Sequence, residues 1–171
     1  FEYRALDYGP SGSYLGSWAR YNRLGTAYPV HHSHTLQELV PVADWAKKDH
    51  PEYAAMRGGT RRIERQHVCT GNDEVVRLVA DAAKSLFRRR PDRTMFAIAP
   101  PDGDGLCLCE RCERFDVPGY RVPAQDRKSH PVLTDRILHF YNEVAARIEP
   151  EFPDRILSGY LYMDYQYPPR R

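Results

Sequence analysis

Apolar residues recur at Val75, Val79, Ala82, Ala83 and Leu86 in the segment after "CTGN", and this spacing of three and four puts them on one face of a helix. Asn72 stands where an N-cap belongs. Pro91 stops the helix after the basic run Arg88-Arg89-Arg90, which suits the negative end of a helix dipole. The pattern predicts a helix over 73–90. The same periodicity returns at Ile137, Tyr141, Val144, Ala145 and Ile148. It predicts a second helix over 133–149, starting between Ser129 and Thr134 and ended by Pro150.

Each predicted helix leads into a short apolar run, "TMFAIAP" after the first and "RILSGYLYM" after the second. Both are bounded by proline and read as buried strands over 94–99 and 156–163. "RIERQHVC" precedes the first helix and gives a third strand over 64–69. The order β-α-β-α-β implies parallel neighbours joined by right-handed crossovers, with the helices on one side. Upstream, "FEYRAL" reads as a strand and "SYLGSWARYNRL" as a helix. "PVADWAKKDHPEY" reads as a short helix with Pro41 near its start and Pro51 at its stop. Gly58-Gly59 marks a turn between short extended pieces within Met56–Glu64.

Parallel strands covered by helices mean an α/β fold, either doubly wound or a (β/α)8 barrel. No G-x-G-x-x-G or phosphate loop follows a strand, which argues against a nucleotide-binding domain. A barrel takes eight strands and typically about 250 residues, whereas about four or five strands are readable here. The expectation is a partial (β/α)8 (TIM) barrel with parallel strands, one domain over 1–171, from a longer multidomain protein. Phe1 is not an initiator Met, in keeping with a chain that continues upstream.

Composition narrows the class only a little. The apolar share of 42% and charged share of 28% are those of a globular domain, and a net charge of +2 gives no reason to expect nucleic acid as a partner. Arg61-Arg62 reads as part of a solvated loop. No apolar stretch is long enough to span a bilayer. The 12 tyrosines suit either core packing or a sugar-binding cleft.

Ligands of α/β folds bind at the carboxyl ends of the strands. The loops predicted there are 69–73, 101–131 and 164–169. The second is far longer than the usual βα loop of roughly two to six residues, and long loops are usually functional or disordered. It opens "DGDGLCLCERCERFD", with Cys107, Cys109 and Cys112 spaced C-x-C-x-x-C. Cys69, at the end of the adjacent predicted strand, or a nearby histidine would complete a four-ligand zinc site. Disulfides in any of three pairings and free buried thiols remain the alternatives. Zinc stands first, as a structural ion and not as a catalytic cofactor. Asp102 and Asp104 follow a strand end in a Gly-rich turn, where acid/base work, sugar contact and plain turn chemistry all fit. Asp164 follows the tyrosine-rich strand and is a candidate substrate contact. His31, His32 and His34 cluster in "VHHSH", with no third ligand identifiable for a metal.

The strings "HPEYAAMRGGTR", "HVCTGNDEV", "APPDGDGLCLCERC", "LHFYNEVAARI" and "LSGYLYMDYQYPP", in this order, resemble the bacterial domain of unknown function 4838. The likeness covers about Trp18 to Pro169. That family resembles the barrel domains of α-glucuronidases of glycoside hydrolase family 67, and some members are β-N-acetylglucosaminidases of glycoside hydrolase family 163. Its cysteine-loop pattern is roughly S-P-N-D-G-x-G-x-C-x-C-x-x-C. Asp102 holds the family aspartate, and Pro101 replaces the asparagine. His34 and Pro41 match a family H-x-x-x-x-x-x-P signal, and Tyr160 and Tyr162 match its aromatic strand.

The resemblance implies a carbohydrate-active barrel in a periplasmic or extracellular bacterial protein with flanking domains. Its partner would be an oligosaccharide or polysaccharide. Asp102 would be a cleft carboxylate, and His34, Tyr160 and Tyr162 would bind sugar. Hydrolysis would use two carboxylates about 5–9.5 Å apart, or one assisted by a substrate acetamide. The alternative is a non-catalytic carbohydrate-binding or zinc-stabilised interaction module on the same barrel.

Overall fold

The computed structural model describes residues 34–39, 44, 49–63, 66–103, 105–122, 129–161 and 163–170. The predicted strand and helix within 1–24 lie outside these residues, as do His31, His32, Pro41, Asp104 and Tyr162.

The elements in chain order begin with a helical turn α1 (Leu36–Leu39), a 3-10 turn (Pro51–Tyr53) and two strands, β1 (Met56–Arg57) and β2 (Thr60–Arg61). Helix α2 (Asp73–Arg89), strand β3 (Met95–Ala97) and a helical turn α3 (Glu110–Glu113) follow. Helix α4 (Thr134–Ile148), strand β4 (Ile156–Ser158) and a second 3-10 turn (Met163–Tyr165) complete the described elements.

Both long helices form where apolar periodicity demands them. At the start of α2, the Asn72 side-chain oxygen accepts from the Glu74 N–H at 3.0 Å, satisfying one of the amides a helix start leaves open. Its buried face is Val75, Val76, Val79, Ala80, Ala83 and Phe87, so the stripe is centred slightly off the predicted one, and Ala82 and Leu86 lie at its edge. In α4 the buried apolar residues are Ile137, Phe140, Val144 and Ile148, whereas Ala145, counted in the sequence pattern, is exposed. The α2 face and Phe140, Val144 and Ile148 of α4 meet in one core with Phe96, Ile98, Val68 and Leu36, while Ile137 packs with Leu106, Leu133 and Tyr165. Phe87 and Phe96 contact edge to face at 6.0 Å. Each large apolar side chain buried here contributes about 1.5–3 kcal/mol before entropy is counted.

β3 and β4 pair in parallel, with Phe96 opposite Leu157, and α4 lies in the crossover between them. The ladder runs beyond the named strands. Ile156 donates to the Thr94 carbonyl at 2.9 Å and Ile98 donates to Ser158 at 2.8 Å. Backbone groups alternate sides along a strand, so Ala97 and Ala99 face the other edge of β3. There Leu36 N–H donates to Ala99 at 3.0 Å and the Thr35 hydroxyl to Ala97 at 2.6 Å. Residues 34–36 therefore flank the carboxyl end of β3 opposite β4.

The predicted parallel pairing of the last two strands is present. The predicted third strand at 64–69 is not its neighbour among the described residues. Val68 instead forms an isolated antiparallel bridge with Ala54, Ile63 sits in a helical turn, and Gln66 has a positive φ of 56° that ends extension. β1 and β2 form an antiparallel hairpin whose turn glycines, Gly58 and Gly59, have φ of 56° and 75°. Two consecutive positive φ values are what a tight hairpin turn needs and glycine tolerates. Pro51 opens a 3-10 turn; of the short helix predicted before it, Asp44 is helical and residues 41–43 and 45–48 lie outside the described residues. The class is α/β, and the described residues form no closed barrel.

Candidate functional site

Four sulfurs converge between the hairpin, the start of α2 and the loop after β3. The Sγ atoms of Cys69, Cys107, Cys109 and Cys112 all lie within 4.8 Å of one another, and all four residues are buried. Cys69 Sγ is 3.5 Å from Cys109 and 3.7 Å from Cys112. A disulfide would need about 2.05 Å. Four thiolates around zinc, at Zn–S of about 2.3 Å, stand about 3.8 Å apart along a tetrahedron edge. The donor set and spacing therefore fit a metal, and no disulfide joins the four cysteines.

Local structure explains the convergence. Cys109 caps α3, whose first turn brings Cys112 back toward it through the bond from Cys112 N–H to the Cys109 carbonyl at 2.9 Å. Gly71 passes so close to α3 that an added Cβ would lie 2.6 Å from the Arg111 carbonyl oxygen. This approach lets its N–H donate to Cys112 Sγ at 3.2 Å. On the other side Met56 N–H donates to Cys107 Sγ at 3.2 Å, and Leu108 N–H returns a bond to the Met56 carbonyl at 2.8 Å. Arg61 Nη1 donates to the Ala54 carbonyl at 2.8 Å and approaches Cys107 Sγ at 3.8 Å.

The sulfurs shift one another's acidity. Hydrogen bonds from the Cys112 and Cys69 thiols, with help from Met56 N–H, hold Cys107 far below the ordinary thiol range. Donating to Cys107 pushes Cys69 up to about 12, and the same bond raises Cys112. Four thiolates at this spacing need a metal to coexist.

The rest of the loop is fastened to its surroundings. Arg136 of α4 is buried, donates to both carboxylate oxygens of Asp116 and reaches the Cys107 carbonyl. The buried His67 ring occupies the space a Gly105 side chain would need, since an added Cβ would sit 1.9 Å from it. His67 Nε2 lies 3.3 Å from the Asp102 carbonyl. None of Arg61, Arg136 or His67 was singled out by sequence. Arg61 was expected in a solvated loop, but only Arg62 is exposed.

At the strand ends, His34 and Tyr160 come together. His34 Nδ1 donates to the Pro100 carbonyl at 2.6 Å, and its ring meets the Tyr160 ring at 5.2 Å in an edge arrangement. Asp102 follows on the same loop and is exposed. Its Oδ1 accepts from Gly103 N–H at 2.8 Å, so turn chemistry uses part of the carboxylate. Asp164 lies apart from that turn in its contacts. Its Oδ1 is 3.2 Å from His130 Nδ1, and its carbonyl accepts from Leu133 N–H at 2.8 Å. His130 was another residue the sequence did not flag.

A cavity of about 210 Å³ adjoins the cysteine centre, lined by Thr70, Gly71, Arg114, His139 and Glu143 among others. A larger one of about 520 Å³ lies between α1, α2 and β3 and touches none of the predicted site residues. No described helix is long and apolar enough to cross a membrane.

The architecture and the centre thus define an α/β domain in which three cysteines of the long βα loop close a tetracysteine cluster with Cys69, just before α2. The family described as "Domain of unknown function (DUF4838)" matches residues 1–171, and the chain belongs to it. No curated protein and no solved structure matches the chain.

Proposed function

We propose that this domain is a carbohydrate-active, glycoside-hydrolase-like unit of barrel type in a periplasmic or extracellular bacterial protein. Its partner is an oligosaccharide or polysaccharide bound over the carboxyl ends of β3 and β4. The observation that carries the proposal is the meeting of His34 and Tyr160, from different elements, at those strand ends. An aromatic face beside an imidazole suits a sugar ring, which offers C–H groups on one side and hydroxyls at its edge. Tyr162, which the family resemblance matches to the same aromatic segment as Tyr160, is proposed as a further sugar contact. Asp102, the exposed carboxylate of this face, is the proposed acid/base group.

The loop that bears Asp102 is held by a structural zinc ion on Cys69, Cys107, Cys109 and Cys112. A four-thiolate shell leaves no open position for water, so the ion shapes the cleft without entering the chemistry. Metal analysis paired with thiol titration tests this part. About one zinc per chain, lost in Cys112→Ser, supports it; four freely titrating thiols and no metal overturn it.

A second reading, a binding module without catalysis on the same face, is favoured by one observation. The Asp102 carboxylate serves the Gly103 amide, and Asp164 is engaged by His130. A glycan array followed by a cleavage assay on the hits separates the two. Cleavage lost in Asp102→Asn supports the hydrolase. Retention without cleavage supports the module, and no retention of any glycan overturns both.

A further inference from the structure

We infer that Arg61 is the charge partner of the tetracysteine centre and couples the β1–β2 hairpin to metal binding. The inference rests on the proposed metal occupancy. A divalent ion with four thiolates carries a net charge of −2. Burying that charge is costly unless it is paired. Among the described residues, the cation that contacts a sulfur of the cluster is the Arg61 guanidinium, 3.8 Å from Cys107 Sγ. The same nitrogen donates to the Ala54 carbonyl at 2.8 Å, which fixes the guanidinium against the start of the hairpin segment.

The remaining donors to sulfur divide between two cysteines. Cys107 receives Met56 N–H, and Cys112 receives Gly71 N–H. The hairpin therefore supplies both a backbone dipole and a full positive charge to one ligand. Groups in this outer position orient ligands and tune affinity.

The coupling runs both ways. β1 and β2 have two residues each, too few to persist as an isolated hairpin. Three of their anchors lie on the cysteine loop: Met56 N–H to Cys107 Sγ, Leu108 N–H to the Met56 carbonyl, and Arg57 Nη1 to the Leu106 carbonyl at 3.4 Å. An empty centre no longer ties Cys107, the ligand that receives both hairpin donors, to Cys69, Cys109 and Cys112, so the hairpin should loosen with the ion.

The test is chelator competition for Zn²⁺ on the purified full chain, with hydrogen exchange of residues 54–61 measured in parallel. Arg61→Gln should weaken zinc about 10–100-fold, the usual cost of an outer-position change, and Arg61→Lys should recover most of it. The Lys variant also keeps the test sound if Arg61→Gln folds poorly. Stripping the metal from wild type should speed exchange in 54–61 while leaving the middle of α2 protected. Equal zinc affinity in wild type and Arg61→Gln, or equal losses for Gln and Lys, would overturn the role of Arg61 alone. A wild-type chain that binds no Zn²⁺ would overturn the metal centre as well, so the two failures are told apart.

Discussion

Asp102 can lose its charge without losing its turn. An asparagine oxygen would still accept from Gly103 N–H, as the carboxylate does at 2.8 Å. Asp102→Asn should therefore change stability by no more than about 0.5 kcal/mol, the range for a surface substitution, while abolishing any acid/base role. Thermal melts beside a cleavage assay on the best glycan hit check both halves. Full turnover in the variant would remove Asp102 from the chemistry. Gly71 offers the opposite case. A methyl there meets the Arg111 carbonyl at 2.6 Å and the Cys112 nitrogen at 2.9 Å, both backbone atoms that cannot step aside cheaply. Gly71→Ala should cost about 1–3 kcal/mol as an overpacking change and reduce zinc content with it. Urea unfolding and metal analysis are the readouts. At this scale the cysteines were legible because C-x-C-x-x-C is a compact signal with known chemistry. Arg61, His67 and Arg136 were not, because their meaning depends on what the fold sets beside them. A paired Arg61-Arg62 looks solvated until a hairpin turns the first arginine toward sulfur.

The elements were legible in proportion to their length. α2 and α4 repeat an apolar face over several turns, and both lie close to where the spacing placed them. Within α4 the stripe was drawn through Ala145 and missed Phe140, because tyrosine and alanine fit the periodicity as well as phenylalanine does. β3 and β4 are three residues long and β1 and β2 only two, and runs that short carry no period to read. The predicted strand at 64–69 failed for a different reason. Its apolar end, Val68, bridges Ala54, and the decisive contact is with a segment the pattern did not mark. The cap of α2 gives the cleanest test at this scale. Asn72 accepts from Glu74 N–H and also donates to the Glu52 carbonyl at 3.4 Å, so it joins the helix start to the 3-10 turn. Asn72→Ala should destabilise the domain by about 1 kcal/mol, measured by chemical denaturation. A smaller loss would mean that water or Thr70 takes over the cap.

For the whole molecule, the α/β class followed from alternating helices and apolar runs, and the parallel β3–β4 pair bears it out. Barrel closure is a property of many strands at once, and it stays with the proposed function. β4 carries Ile156 at 37% exposure, with Leu161 at 54% and Met163 at 39% just beyond it. The centre offers a global measurement. With free zinc about 100-fold above its dissociation constant, binding should add about 2.7 kcal/mol. For a domain of this size each kcal/mol moves the melting point by about 2–4 °C, so chelation should lower it by about 5–11 °C. Calorimetry with and without chelator checks the shift, and an unchanged melting point would deny the ion a structural role. The order of the ligands along the chain adds a consequence in time. Cys69 and Cys109 stand 40 residues apart, with α2 and β3 between them. A ribosome adding about 5–20 residues per second leaves Cys69 waiting roughly 2–8 seconds for its partners. If the proposed zinc ion fills the centre, its four ligands are all present only after β3 has been made, so metal uptake should be a late step of folding. Refolding followed by stopped flow should show helix signal first and zinc uptake after it, with the lag unaffected by raising zinc.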